Sequence, residues 1–100
     1  MTPVIFVLNN GGYAIERVLE EYPDWVYNDL APWNYQALPA ALGCADWFTA
    51  RVQTNGELDA AMATAAAGDR AAYIEVVCGR HDYPPAMKAI HKRLAELYGA

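Results

Sequence analysis

Hydrophobic positions fall into three short apolar runs separated by segments of helical period. Residues 3–8 are continuously apolar and rich in β-branched side chains, as expected of a strand buried on both faces. Asp46 to Val52 reads as a second strand. Ala71 to Cys78 reads as a third, with no polar alternation apart from Glu75. Between them, a helix is expected from about Tyr13 to Glu21, with Ile15, Val18 and Leu19 on its inner face. Tyr22-Pro23 stops it, because proline excludes its predecessor from helical geometry. Residues 24–33 read as an ordered loop carrying acids, Pro32 and several aromatics. Asn34 is positioned to cap a short helix to Leu42, with Gly43 as terminator. Thr54-Asn55-Gly56-Glu57 has the spacing of a capping box and opens a helix to about Ala67, closed by Gly68. After Pro84-Pro85, Met87, Ile90, Leu94 and Leu97 fall on one stripe of a last helix.

Strand and helix therefore alternate through the chain. That order predicts an α/β fold, a three-layer α/β/α arrangement around a mainly parallel sheet with about three strands and four helices. So few strands leave the sheet incomplete, with unpaired edges. The whole of residues 1–100 reads as one piece of a single domain, without repeat, linker or second domain.

Composition narrows the function classes. With 7 Lys+Arg against 12 Asp+Glu the net charge is −5, and no basic patch interleaves with aromatics. Nucleic acid is not an expected partner. The apolar runs are far shorter than the roughly 20 residues that span a bilayer, so no membrane partner is expected either. The N-terminus lacks a signal-peptide pattern, and the cysteine usage favours a cytoplasmic location. Cys44 and Cys78 read as reduced thiols packed as small hydrophobes.

The chemistry-bearing stretch is Val4-Ile5-Phe6-Val7-Leu8-Asn9-Asn10-Gly11-Gly12-Tyr13-Ala14-Ile15-Glu16. Here an apolar strand ends in two amides and two glycines, and a carboxylate follows within one helical turn. In open parallel sheets ligands bind beyond the carboxyl ends of the strands. Glycines allow a backbone carbonyl to turn toward an ion. Magnesium takes hard oxygen ligands, commonly one or two from protein with the rest from phosphate and water. The helix beginning near Tyr13 also offers N–H groups to an anion. On the four residues Asn9 to Gly12 alone, a plain strand-to-helix turn is the favoured reading.

The wider pattern resembles a known family. Asn9-Asn10-Gly11-Gly12-Tyr13-Ala14-Ile15-Glu16-Arg17, together with Tyr27-Asn28-Asp29-Leu30-Ala31-Pro32-Trp33-Asn34-Tyr35 and Leu38-Pro39, is similar to the pyruvate and indolepyruvate decarboxylase group. The resemblance covers essentially the whole chain and places it in the C-terminal part of the diphosphate-binding domain of a thiamine-diphosphate-dependent 2-oxo acid decarboxylase. It implies thiamine diphosphate and Mg2+ as cofactors and a 2-oxo acid as substrate, released as aldehyde and carbon dioxide. By the same resemblance Asn10 is a metal ligand through its side chain and Gly12 through its carbonyl. Asn9 orients the turn, and Tyr13 belongs to the cofactor-binding stretch. Glu16 is the proton-relaying catalytic carboxylate, with a solvated helix residue as its alternative. Ile15 lines the substrate pocket or belongs to ordinary core. The upstream Gly-Asp-Gly of the cofactor motif is absent from the sequence. The chain is therefore expected to be a fragment that needs the rest of a parent polypeptide, inactive and weakly cofactor-binding alone, and to form homo-oligomers. The His-Gly-like turn of many relatives is replaced by Leu19-Glu20-Glu21-Tyr22-Pro23. A non-catalytic binding or assembly module of the same fold is the competing reading.

Overall fold

The computed structural model describes residues 2–14, 26, 29–82 and 84–98. These fall into two compact units, one of residues 1–9 with 33–78 and one of residues 10–32 with 79–100.

The first unit holds three strands, β1 (Val4–Asn9), β2 (Phe48–Val52) and β3 (Ala72–Val77), in the order β1-β3-β2. Both pairings are parallel, with Phe6, Ile74 and Ala50 side by side in one row and Val7, Glu75 and Arg51 in the next. The expected parallel α/β architecture is thus present, and β3 is its central strand. A 3-10 turn (Tyr35–Ala37) leads into helix α1 (Leu38–Ala41), and α2 (Asn55–Ala66) connects β2 to β3.

Side chains alternate between the sheet faces. Phe48, Ala50, Val52, Ala72, Ile74 and Val76 share one face and pack with Leu58, Ala61 and Ala65 of α2. Ala61 and Ala65, one turn apart, are both buried and small enough to bring the helix close to the strands. Ile74 is fully buried there, at 0% exposure. On the other face, the Tyr35–Ala37 turn contacts β2 and β3.

The expected Thr54 cap forms at α2. The Thr54 hydroxyl oxygen accepts from the Glu57 backbone N–H at 3.1 Å and its hydroxyl donates to the Glu57 carboxylate at 3.1 Å. Past the other end, Gly68 takes φ 72°, the left-handed geometry that ends helices at glycine.

Three expectations need correction. First, β1 is not buried on both faces. Val4, Ile5, Phe6 and Leu8 are exposed, Leu8 at 71%, because β1 is an edge strand while α2 and the 3-10 turn pack on β2 and β3. Second, Asn34 makes no side-chain cap. Its carbonyl instead accepts from the Ala37 N–H at 3.1 Å, and the expected single helix is a 3-10 turn followed by the short α1. Third, β2 starts at Phe48 rather than Asp46, since Trp47 N–H turns back to the Cys44 carbonyl. Cys44 and Cys78 are free thiols, as expected.

In the second unit, Ala14 is helical, but the rest of the helix expected to Glu21 lies outside the described residues, as do Tyr27 and Asn28. The last helix, α3 (Pro85–Tyr98), opens on a proline whose missing N–H costs no hydrogen bond at that position. Along its expected stripe, Met87 and Leu94 are half-buried while Ile90 and Leu97 are exposed. No described helix is long and apolar enough to cross a membrane.

Exposure separates the apolar residues energetically. Ile74→Ala should lower the unfolding free energy by about 2–5 kcal/mol. Leu8→Ala should change it by about 0.5 kcal/mol or less. Urea unfolding followed by circular dichroism checks both, and equal losses would contradict the assignment of the core.

Candidate functional site

All three strands point their carboxyl ends the same way, and β1 ends at Asn9. The Asn9 carbonyl accepts from the Cys78 N–H at 2.8 Å, which ties the ends of β1 and β3 together. Its side chain turns to the sheet face opposite α2, where Nδ2 donates to Glu75 Oε2 at 2.8 Å. Arg51 Nε lies 3.5 Å from the same oxygen. Glu75 is 2% exposed, whereas Arg51 reaches it with a side chain that stays about half in solvent. An ionised carboxylate can only accept, so the contact settles which end of the Asn9 amide faces it. Beside this group the Tyr73 phenol is pushed above its ordinary value, first by burial, then by the Glu75 charge and by Tyr35.

In the second unit, Gly11 takes φ 74°, a conformation open to glycine and strained for residues with a Cβ. The Gly12 N–H donates to Asn10 Oδ1 at 3.4 Å, so the second asparagine folds back over its own turn. Gly12 pairs with Asp29 in an isolated antiparallel bridge, closed by Leu30 N–H on the Gly11 carbonyl at 3.0 Å. That bond uses the Gly11 oxygen and not the Gly12 oxygen. Arg80 in turn forms an ion pair with Asp29, holding the partner of the glycine turn.

The turn therefore brings the Asn10 carboxamide oxygen, a neutral hard donor, onto the Gly12 backbone at its N–H. Among the described residues no group of three or more His, Cys, Asp or Glu is placed to hold a metal. Tyr13 is exposed. Ile15 and Glu16, the expected pocket and acid-base residues, lie outside the described residues. Arg80, His81 and Asp82 are exposed in a turn where the Gly79 N–H donates to the Asp82 carboxylate at 2.6 Å.

Sequence reasoning passed over Glu75 and Arg51. One signal was available: a single acid in an otherwise apolar central strand of a parallel sheet must be buried, and buried acids need partners. The identity of those partners depends on strand register, which no local pattern carries.

Residues 1–76 match the family described as "Thiamine pyrophosphate enzyme, C-terminal TPP binding domain". The chain is 45% identical over 87 residues to an alpha-keto-acid decarboxylase of Mycobacterium bovis (strain BCG / Pasteur 1173P2), a match covering 84% of the chain and 15% of that relative. It is 44% identical over 87 residues to the alpha-keto-acid decarboxylase of Mycobacterium avium (strain 104), with the same coverage. The protein of that name from Mycobacterium leprae (strain TN) is 40% identical over 91 residues, 90% of the chain and 16% of the relative. The chain thus spans about 15% of the length of the curated relatives it matches.

The raised Tyr73 value carries, after burial, a contribution from the Glu75 charge that a substitution tests. Glu75→Gln should move the Tyr73 phenol back toward the ordinary tyrosine value while leaving the part due to burial. An NMR titration of the tyrosine ring signals reads this, and an unmoved Tyr73 would place the carboxylate too far away to matter.

Proposed function

The chain belongs to the C-terminal, TPP-binding domain family of thiamine pyrophosphate enzymes, and we propose that it is the C-terminal portion of a non-oxidative 2-oxo acid decarboxylase. The parent enzyme would use thiamine diphosphate and magnesium to convert a 2-oxo acid to an aldehyde and carbon dioxide. One observation supports this reading beyond the family: immediately after a parallel strand, the Asn10 carboxamide oxygen folds onto the Gly12 backbone N–H, in a turn whose bridge takes the Gly11 carbonyl. The alpha-keto-acid decarboxylase name of the relatives supports the same choice.

The cofactor, when bound, supplies a carbon centre that accepts the electron pair left as carbon dioxide departs. The work assigned to this chain is to hold and to protonate. Asn10 Oδ1 and the Gly12 carbonyl would bind the ion that carries the diphosphate. Binding would require the Gly12 N–H to give up its 3.4 Å contact with Asn10 or to share that oxygen. Asn9 would orient the entry to the turn, and Tyr13 would belong to the cofactor-binding stretch. Glu16 would hold and move the proton at the reacting carbon, and Ile15 would bound the substrate.

Two protein ligands are fewer than a metal–diphosphate site uses, so the 100-residue chain alone should bind thiamine diphosphate and magnesium poorly. Its exposed apolar edge strand would drive association with the rest of a parent polypeptide or with further copies. A cytoplasmic location accompanies this reading.

In the complete enzyme, Glu16→Gln should leave cofactor binding nearly intact and lower turnover about a hundredfold or more, the scale of a general acid-base group. Asn10→Ala should act in the other order, weakening magnesium-dependent cofactor affinity first, with activity partly restored by excess metal. Steady-state rates paired with calorimetric titration separate the two. Unmodified turnover by Glu16→Gln would remove the catalytic assignment. Calorimetry on the 100-residue chain should show no tight uptake of thiamine diphosphate at millimolar magnesium, and submicromolar binding would overturn the fragment reading.

A further inference from the structure

Glu75 is a buried acid that the proposed chemistry does not use. Burying a carboxylate is costly, and an apolar side chain of similar volume at such a position is often neutral or stabilising. Stability alone therefore gives no reason for an acid in the middle of β3. Its contacts suggest another reason. One oxygen, Oε2, takes the Asn9 amide from β1 at 2.8 Å and faces the Arg51 guanidinium from β2 at 3.5 Å. Both flanking strands thus converge on one atom of the central strand. Arg51 is the direct register partner of Glu75 and balances its charge. Asn9 stands opposite Val77, two residues farther along, so its side chain must lean back along the strand to make the contact. Because the carboxylate accepts only, the Asn9 amide is fixed with its NH2 toward Glu75 and its oxygen directed away.

We propose that Glu75, charge-balanced by Arg51, is a positioning residue for the cofactor motif: it sets the orientation of the Asn9 carboxamide at the last residue before the Asn10–Gly12 turn. The inference rests on the decarboxylase reading for its consequence and on the Asn9–Glu75–Arg51 geometry for its cause. Glu75 touches neither metal nor substrate in this account and acts through Asn9. Partners of this kind, one shell removed from a bound group, typically change affinity by about 10- to 100-fold when removed.

Two measurements test it. In the 100-residue chain, the Asn9 side-chain amide protons should exchange slowly with solvent by NMR. They should exchange measurably faster in Glu75→Leu and keep their protection in Glu75→Gln, whose amide oxygen can still accept. In the complete apoenzyme, thiamine diphosphate titrated at fixed magnesium should bind about 10-fold or more weakly to Glu75→Leu and nearly normally to Glu75→Gln. Asn9→Ala should show the same loss as Glu75→Leu, and the double variant no further loss, since both changes break one contact. If Glu75→Leu fails to fold, Asn9→Ala alone carries the affinity test, and unchanged affinity in it would overturn the proposal. Unchanged affinity in Glu75→Leu, or losses that add in the double variant, would overturn the proposal. If the unmodified complete enzyme took up no thiamine diphosphate, the decarboxylase reading would fall, while the amide exchange in the chain would still decide whether Glu75 fixes Asn9.

Discussion

The central place of β3 between two parallel neighbours is the constraint on which the first unit depends. A strand in that position has no solvent-facing edge, so each of its side chains must be matched by something from β1, β2 or the layer above it. Ile74 and Glu75 meet this demand in opposite ways. Ile74 points into the alanine-lined space under α2, where close contact and loss of water stabilise it. Glu75, one residue on, points to the other face and is satisfied by an amide from one flanking strand and a guanidinium from the other. Had the two residues exchanged places, the sheet would present an acid to the helix and an isoleucine to the polar cluster. The alternation of β3 therefore fixes which face carries the core and which carries the polar contacts.

The same constraint reaches the end of β1. A strand end is where the sheet stops dictating backbone direction, and Asn9 still makes both a backbone bond to Cys78 and a side-chain bond to Glu75. The chain is thus held up to the residue at which it leaves the sheet. Beyond it, glycine conformation takes over: Gly11 adopts a positive φ, and its carbonyl is taken by Leu30. The bridge thus takes the Gly11 carbonyl, and the metal role proposed for Gly12 rests on the family resemblance.

Features encoded by neighbours in sequence were legible in advance. Thr54 and Glu57 are three residues apart, so the Thr54 cap needed no tertiary information, and Gly68 marked the helix end for a similar reason. The alternation of three apolar runs with helical segments was enough for a parallel α/β sheet. What failed was decided elsewhere in the fold. Asn34 has the right side chain for a cap, but a 3-10 turn closed by its carbonyl left the side chain without that task. Asp46 lies in the turn before β2, because pairing with β3 begins only at Phe48 opposite Ala72. Of the candidate site, the strand-to-glycine transition marked the turn, while the roles of Asn10 and Gly12 within it were what the family resemblance implied. Glu75 could be noticed as an exception in an apolar run, but its link to Asn9 is 66 residues long in sequence and exists only in the final register.

β1 poses the remaining physical question, since its composition and its exposure disagree. Four of its six residues are large apolar side chains in contact with solvent, spread over both faces. Edge strands exposed to water ordinarily carry charges, prolines or bulges that discourage pairing with other chains. β1 carries none of these between Val4 and Leu8. An uninterrupted apolar strand is instead what parallel sheets use in their interior, with helices on both sides. The chain's short span relative to its decarboxylase relatives supplies a reason consistent with both facts: in a longer polypeptide, a further strand and covering helices would make β1 internal. On that proposal the hydrophobic pattern of residues 4–8 records an environment larger than this chain provides, and the polar turn at Asn9–Gly12 begins where that environment would open onto the cofactor.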